Sequence, residues 1–262
     1  MNIIKLNKYI IFILVLILAT SIWFIFKKSN KTNEPKTFVV GTAAGYAPWV
    51  SVNDQGEYEG FDVDVMNVLS EQMGKNLVMK DLGSMSSLFM ALEQNKIDAI
   101  IWGMSMTQDR LKRMNMICYQ GELVDSFPLI FWKKIPYGIK GISDMVGKSI
   151  CVEPGSSQDT VLSKYPFINK ITTEKVDDAL FSIMYGKADA AFVEPAIANK
   201  FIKKYPAIKT IDVQLAEEEQ VAGVGVCIRK DNTKLSNEVE QAILELRKNG
   251  VIQEFESRWG IV

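Results

Sequence analysis

The sequence predicts an α/β fold made of two similar lobes, and three observations predict it. Short β-branched runs alternate with segments of helical period from residue 37 onward, the pattern of βα units with parallel sheets. Two stretches echo each other. Leu88-Phe89 leads through a helix into Lys96-Ile97-Asp98-Ala99, and Leu180-Phe181 leads through another into Lys187-Ala188-Asp189-Ala190. A chain of 262 residues also has room for two lobes of roughly a hundred residues each.

The elements follow in order. Thr37 to Val40 reads as a strand closing at Gly41. A helix begins at Asp62, with Val65, Leu69 and Met73 spaced by four and Gly74 as its stop. Leu77 to Met79 is a strand, Ser86 to Asn95 a helix, Ile97 to Ile101 a strand and Thr107 to Met114 a short helix. The second half repeats this grammar, with strands at Ser149 to Glu153 and Ala190 to Val193 and helices at Ser157 to Lys164 and Val176 to Tyr185. A helix opens at Pro195 and runs to about Lys204. Val221 to Arg229 is a strand, Leu235 to Lys248 a helix stopped by Gly250, and a last short helix from Val251 carries Trp259.

Composition narrows the chemistry. With 30 Lys and Arg against 31 Asp and Glu, the chain lacks the basic excess of a nucleic-acid binder. It has no histidine, which excludes His-based triads, His-containing metal sites and a histidine pH switch. No cofactor or metal is expected. Cys118, Cys151 and Cys227 form an odd set without a CxxC, and are read as buried thiols rather than a disulfide or a nucleophile.

The charge is unevenly spread. Residues 1–36 hold six cations and one anion, whereas the remaining 226 residues carry 24 cations and 30 anions. Lys5 and Lys8 precede an apolar run of 18 residues, Tyr9 to Phe26, and Lys27-Lys28 ends it before a polar linker to residue 36. Positive start, apolar middle and polar exit describe an export segment, either a cleaved signal or a signal anchor.

Ligands of open α/β sheets sit where strand C-termini meet helix N-termini. That rule nominates the turns Gly41–Tyr46, Trp102–Arg110, Pro154–Gln158 and Val193–Pro195. In the second turn Arg110 is either a solvated surface charge or a bidentate grip for a carboxylate. Gly155-Ser156-Ser157 is either an anion cradle or an ordinary helix cap. Glu194 either points into the crevice or caps its helix, and Tyr46 and Trp102 either face an apolar ligand portion or fill the core. As a set, one cation, one anion cradle and one carboxylate complement a zwitterion such as an α-amino acid.

Ordered motifs carry a resemblance. Val39 to Trp49 with Gly56 and Gly60-Phe61-Asp62-Val63-Asp64, Lys96 to Ile101 with Gly103-Met104-Ser105-Met106-Thr107 and Arg110, Gly155-Ser156-Ser157, and Gly223-Val224-Gly225 with Arg229-Lys230-Asp231 resemble the polar amino-acid substrate-binding proteins of ABC importers. The match spans essentially residues 37–262. Glu194-Pro195 and the ending Gly250-Val251-Ile252-Gln253 with Trp259 look especially like the arginine-binding branch known from chlamydiae.

The resemblance implies a type II periplasmic-binding fold, two lobes joined by two crossover strands. Lobe one would comprise residues 37–122 and 222–262, lobe two residues 123–221. It implies a monomeric, non-catalytic receptor on the extracytoplasmic side of a bacterial inner membrane, which passes a free amino acid to an ABC permease. By similarity, Arg110 holds the ligand carboxylate with Ser105 and the backbone around Ser156 and Ser157. Glu194 takes the ammonium with the Gly103 carbonyl, and Tyr46 flanks the side chain. The family often has Asp or Asn where this chain has Ala43, and a stacking aromatic where it has Met85. Ala43, Met85 and Trp102 therefore suit an apolar or neutral polar ligand. Two other functions stay open: an exported cyclohexadienyl (prephenate or arogenate) dehydratase using Glu194 as acid or base, and a tethered amino-acid sensor module.

Overall fold

The computed structural model describes residues 36–261, so the Tyr9 to Phe26 segment lies outside the described residues. Among the described residues no helix is long and apolar enough to cross a membrane.

β1 (Thr37–Thr42) inserts between two parallel neighbours, and its inward Phe38 and Val40 are fully buried. Gly41 lets the Ile97 and Leu88 side chains pack close, since a Cβ there would lie 2.5 Å from Ile97 Cδ1 and 2.9 Å from Leu88 Cδ2 and both would have to shift. After a short hairpin of β2 (Ser51–Val52) and β3 (Tyr58–Glu59), α1 (Phe61–Gln72) buries Phe61, Val65 and Leu69. Gly60 precedes it with φ of 137°, where a Cβ would strike the Trp49 carbonyl oxygen at 2.2 Å. β4 (Asn76–Asp81), α2 (Met85–Glu93) and β5 (Ala99–Ile100) follow, α2 capped by the Ser84 hydroxyl on the Ser87 amide. α3 (Gln108–Arg113) then runs directly into β6 (Met114–Val124).

β7 (Ser126–Trp132) opens the second sheet after Asp125 alone. β8 (Ser149–Val152), α4 (Ser157–Leu162), β9 (Asn169–Thr172), α5 (Val176–Met184), β10 (Ala190–Phe192), α6 (Pro195–Lys204) and β11 (Ile208–Gln214) complete that half. β12 (Val221–Arg229) returns to the first sheet, and α7 (Thr233–Lys248) and α8 (Val251–Trp259) pack behind it.

The strand orders are β4-β1-β5-β12-β6 and β11-β7-β10-β8-β9. Reversing the second makes them equivalent: three parallel strands followed by two more, the first of which runs antiparallel to both neighbours. The expectation of parallel sheets therefore needs correction. Each sheet is mixed, because β12 pairs antiparallel with β5 and β6, and β7 pairs antiparallel with β10 and β11. The cause is topological: a strand arriving from the other lobe enters without a crossover helix, so nothing turns it parallel.

The echo between the halves has a physical basis. The Asp98 carboxylate accepts the Val39 amide at 2.8 Å, and the Asp189 carboxylate accepts the Ser149 amide at 2.8 Å. Each aspartate ties the entry of one strand to the start of its parallel neighbour. At the crossover, β6 and β12 slip register between Ala222 and Gly225, where Gly121 and Gly223 face each other with φ near +80°. A Cβ on Gly223 would lie 2.4 Å from the Gln120 carbonyl oxygen, so only glycine fits. All three cysteines are free thiols; Cys151 and Cys227 are buried, Cys118 half-buried.

Candidate functional site

The four nominated turns meet around one narrow cavity between the two sheets, and nine of the ten candidate residues line it: Tyr46, Met85, Trp102, Gly103, Ser105, Arg110, Ser156, Ser157 and Glu194. Ala43 does not. It is buried behind the wall, where its carbonyl accepts the Trp102 indole N–H at 2.8 Å.

Arg110 is positioned by the cap of α3. The Thr107 hydroxyl accepts the Arg110 amide, which starts the helix so that its third residue turns inward. Arg110 is only 7% exposed, so the surface-charge alternative fails. Its guanidinium donates to the Ser105 carbonyl at 2.9 Å and, across the cleft, to the Gly155 carbonyl at 3.1 Å, and it contacts Met85 Sδ at 3.3 Å. Its face lies 5.6 Å from the Phe89 ring centre. Burial pulls its pKa below the usual arginine range, while Cys227 and Glu194 oppose that shift. Its acceptors are neutral, so the positive charge is buried without an anion in contact among the described residues.

Glu194 faces it from the other lobe. It occupies the cap position of α6, yet its side chain makes no capping bond and instead accepts the Ser105 hydroxyl at 2.8 Å. Burial raises its pKa, with Gln158, Ser105 and Arg110 pulling it back down. Gly103 is held by a different acid. Its amide donates to Asp62 at 2.5 Å and the Tyr119 hydroxyl donates to the same carboxylate at 2.7 Å. Burial nonetheless pushes Asp62 up to about 7. Gly103 has φ of +51°, and a Cβ would come within 2.9 Å of the Trp49 ring, so the turn admits no other residue. Tyr46 and Trp102 form one wall, their rings 4.9 Å apart and tilted by 43°.

The Gly155-Ser156-Ser157 turn is partly used by the protein itself. Ser156 caps α4 by accepting the Asp159 amide, and the Gly155 amide donates to the Asp159 carboxylate at 2.8 Å. The Ser157 hydroxyl is buried without a hydrogen-bond partner, and the buried Gln158 side-chain N–H makes no hydrogen bond of normal geometry although it lies close enough to Glu194 to hold that carboxyl's pKa down. Both side chains line the cavity.

Three cavity or near-cavity groups were missed in the sequence. Asp62 lay in a quoted motif without a role. Gln158 closes the nominated turn Pro154–Gln158 but carries no role of its own in sequence. Glu153 reads as the end of a strand in sequence; it follows β8 by one residue where Glu194 follows β10 by two, and an acid just past each strand was the available signal. The half-buried Glu153 lines the cavity; burial first, then Glu194 and Glu174, push it up to about 8 against the pull of Arg110.

Residues 38–127 match the bacterial extracellular solute-binding proteins, family 3. Over 237 residues the chain is 34% identical to the probable ABC transporter arginine-binding protein ArtJ of Chlamydia trachomatis, covering 90% of each chain. The chain belongs to that family. This solute-binding protein is also 27% identical over 241 residues to the L-cystine-binding protein TcyJ of Bacillus subtilis, covering 88% of this chain and 87% of that one. A crystal structure of a mutant ArgBP from T. maritima matches it with a TM-score of 0.76 and 28% identity, covering 86% of this chain and 96% of that one. The solute-binding protein thus has the type II periplasmic-binding fold, two α/β lobes joined by two crossover strands.

Proposed function

We propose that this chain is an extracytoplasmic receptor that captures a free amino acid between its lobes and delivers it to an ABC permease. Arg110 carries the proposal: a buried guanidinium with only neutral acceptors, aimed into a cleft whose opposite wall presents Glu194. A zwitterion supplies both missing charges at once, which repays their desolvation. In this reading Arg110 and the Ser157 hydroxyl take the ligand carboxylate, Glu194 and the Gly103 carbonyl take the ammonium, and Tyr46 and Trp102 flank the side chain. Lobe one comprises residues 37–122 and 222–262 and lobe two residues 123–221, with closure about the paired glycines Gly121 and Gly223. The receptor acts as a monomer, and Tyr9 to Phe26 exports it or tethers it to the membrane. The names of its relatives, two ABC transporter arginine-binding proteins and an L-cystine-binding protein, support the amino-acid class.

A thermal-shift screen of the common amino acids tests this. At least one amino acid is expected to raise the melting temperature, since a ligand that binds only the folded state stabilises it. Silence across the panel with folded protein would refute the proposal. A dehydratase would share one feature, a carboxyl group with a raised pKa beside Glu194. Incubation with prephenate and arogenate checks it, and formation of phenylpyruvate or phenylalanine would replace the receptor reading.

A further inference from the structure

The cleft contains more acid than a zwitterion needs. Two adjoining cavities share a wall of Tyr46, Glu153, Gln158 and Glu194. One lies against Arg110; the other runs into lobe two between Val152, Val176 and Phe192. Of the charged groups around them, Arg110 is bonded to two carbonyls, Glu194 to Ser105, and Asp62 to Gly103 and Tyr119. The Glu153 backbone carbonyl accepts the Ser156 amide at 3.2 Å, but its carboxylate has no hydrogen-bond or ion-pair partner among the described residues. Two more polar atoms beside it, Gln158 Nε2 and Thr173 Oγ1, are buried without a hydrogen bond of normal geometry. Across the cleft lobe one offers no carboxylate at Ala43, whose methyl is buried and whose carbonyl is taken by Trp102.

We propose that Glu153 selects the charge of the ligand: from lobe two, it receives the cationic end of a bound amino acid's side chain, with Thr173 as an accessory acceptor. This rests on the receptor reading and departs from the neutral ligand that Ala43 and Met85 suggest. An unpaired carboxylate beside Glu194 is unfavourable in a cleft that excludes water, and a guanidinium or ammonium group removes that cost. A neutral side chain of the same shape does not. Burial and Glu194 keep Glu153 substantially protonated near neutral pH, so docking of a cation expels that proton.

The test compares L-arginine with L-citrulline, its uncharged near-isostere, by calorimetric titration of the purified protein. Arginine is expected to bind at least about tenfold tighter, the scale of one hydrogen bond to a charged group. Glu153→Gln collapses that ratio toward one, Glu153→Asp retains part of it, and Glu174→Gln, an exposed neighbouring acid, leaves it intact. Equal binding of the two amino acids by the wild type would overturn the role of Glu153, as would an unchanged ratio in a folded Glu153→Gln protein. In both cases the receptor reading survives, because an amino acid still binds. If neither these two nor any common amino acid binds, the receptor reading itself falls and the inference with it.

Discussion

The two lobes share a plan and divide the work unequally. Each has three parallel strands, an antiparallel visitor from the crossover and an aspartate clamping its first strand. In lobe one the Trp102–Arg110 turn is held from within, where Asp62 holds the Gly103 amide, Trp102 donates to Ala43 and Arg110 donates to Ser105, although Thr42 Oγ1 and Trp49 Nε1 are buried without partners. In lobe two the corresponding turns present the Glu153 carboxylate and the Ser157 hydroxyl without an internal partner. Lobe one brings the cation of the cavity, Arg110, and lobe two brings its two carboxylates, Glu153 and Glu194. Duplicated architecture therefore does not imply duplicated chemistry, since clamps set the backbone and single side chains set the site.

The largest expected effect breaks the pairing of the lobes. Arg110→Ala and Glu194→Ala should each weaken the amino acid found in the screen by at least about 100-fold, since losing one partner of a buried charge pair strands the other. Unchanged affinity on titration in either variant would remove that residue from the site. Next comes the rigidity of lobe one. Asp62→Ala leaves a buried amide and a buried hydroxyl without an acceptor and should cost about 3 kcal/mol in chemical denaturation.

The same residue sets a pH dependence. Asp62 at about 7 and Glu153 at about 8 keep protons in the folded protein that the unfolded chain, with carboxyl values near 4, has already released. Their raised values favour folding fully only at low pH, and this contribution is lost as pH rises from about 4 to about 8. Melting curves of the ligand-free protein at pH 5 and pH 8 should show a smaller difference in Asp62→Asn than in the wild type. An identical difference would mean that Asp62 does not titrate in this window.

Smaller effects sharpen the comparison. If the clamps are equivalent, Asp98→Ala and Asp189→Ala should each cost about 1 kcal/mol, within error of one another. Asp189 adds a term of opposite pH sign. Burial alone would raise it, but the Ser149 amide and hydroxyl with Lys148 bring it below the ordinary carboxylate range. That contribution is present above its unfolded value and is lost as pH falls through its folded one. Least of all, Ser157→Ala should leave denaturation within about 0.5 kcal/mol of the wild type while weakening the ligand, because the hydroxyl has no internal partner to lose. A marked loss of stability there would show that the hydroxyl serves the fold.

Most helices and the parallel strands were legible because they carry their own periodicity and caps: Val65, Leu69 and Met73 for α1, Pro195 for α6, Gly250 between α7 and α8. β6, β7, β9 and β11 were not placed from local pattern. β7 contains Pro128, which argues against an inner strand, and β9 and β11 are half-exposed and rich in Lys and Thr. Their existence depends on partners more than fifty residues away, in the case of β7 with β10 and β11.

The sequence by itself determined the α/β class, the doubled plan and the four turns, because strand ends and helix starts are written in local residue choice, and with the family resemblance it named nine of the twelve residues that line the cavity. Only the tertiary structure decided what each group does there. It buried Arg110 among neutral acceptors, moved Ala43 behind the wall, occupied Gly155 with Asp159 and left the Glu153 carboxylate without a partner. A charge has its meaning from desolvation and from which oppositely charged atoms lie within a few ångströms, and both depend on segments that are distant in the chain.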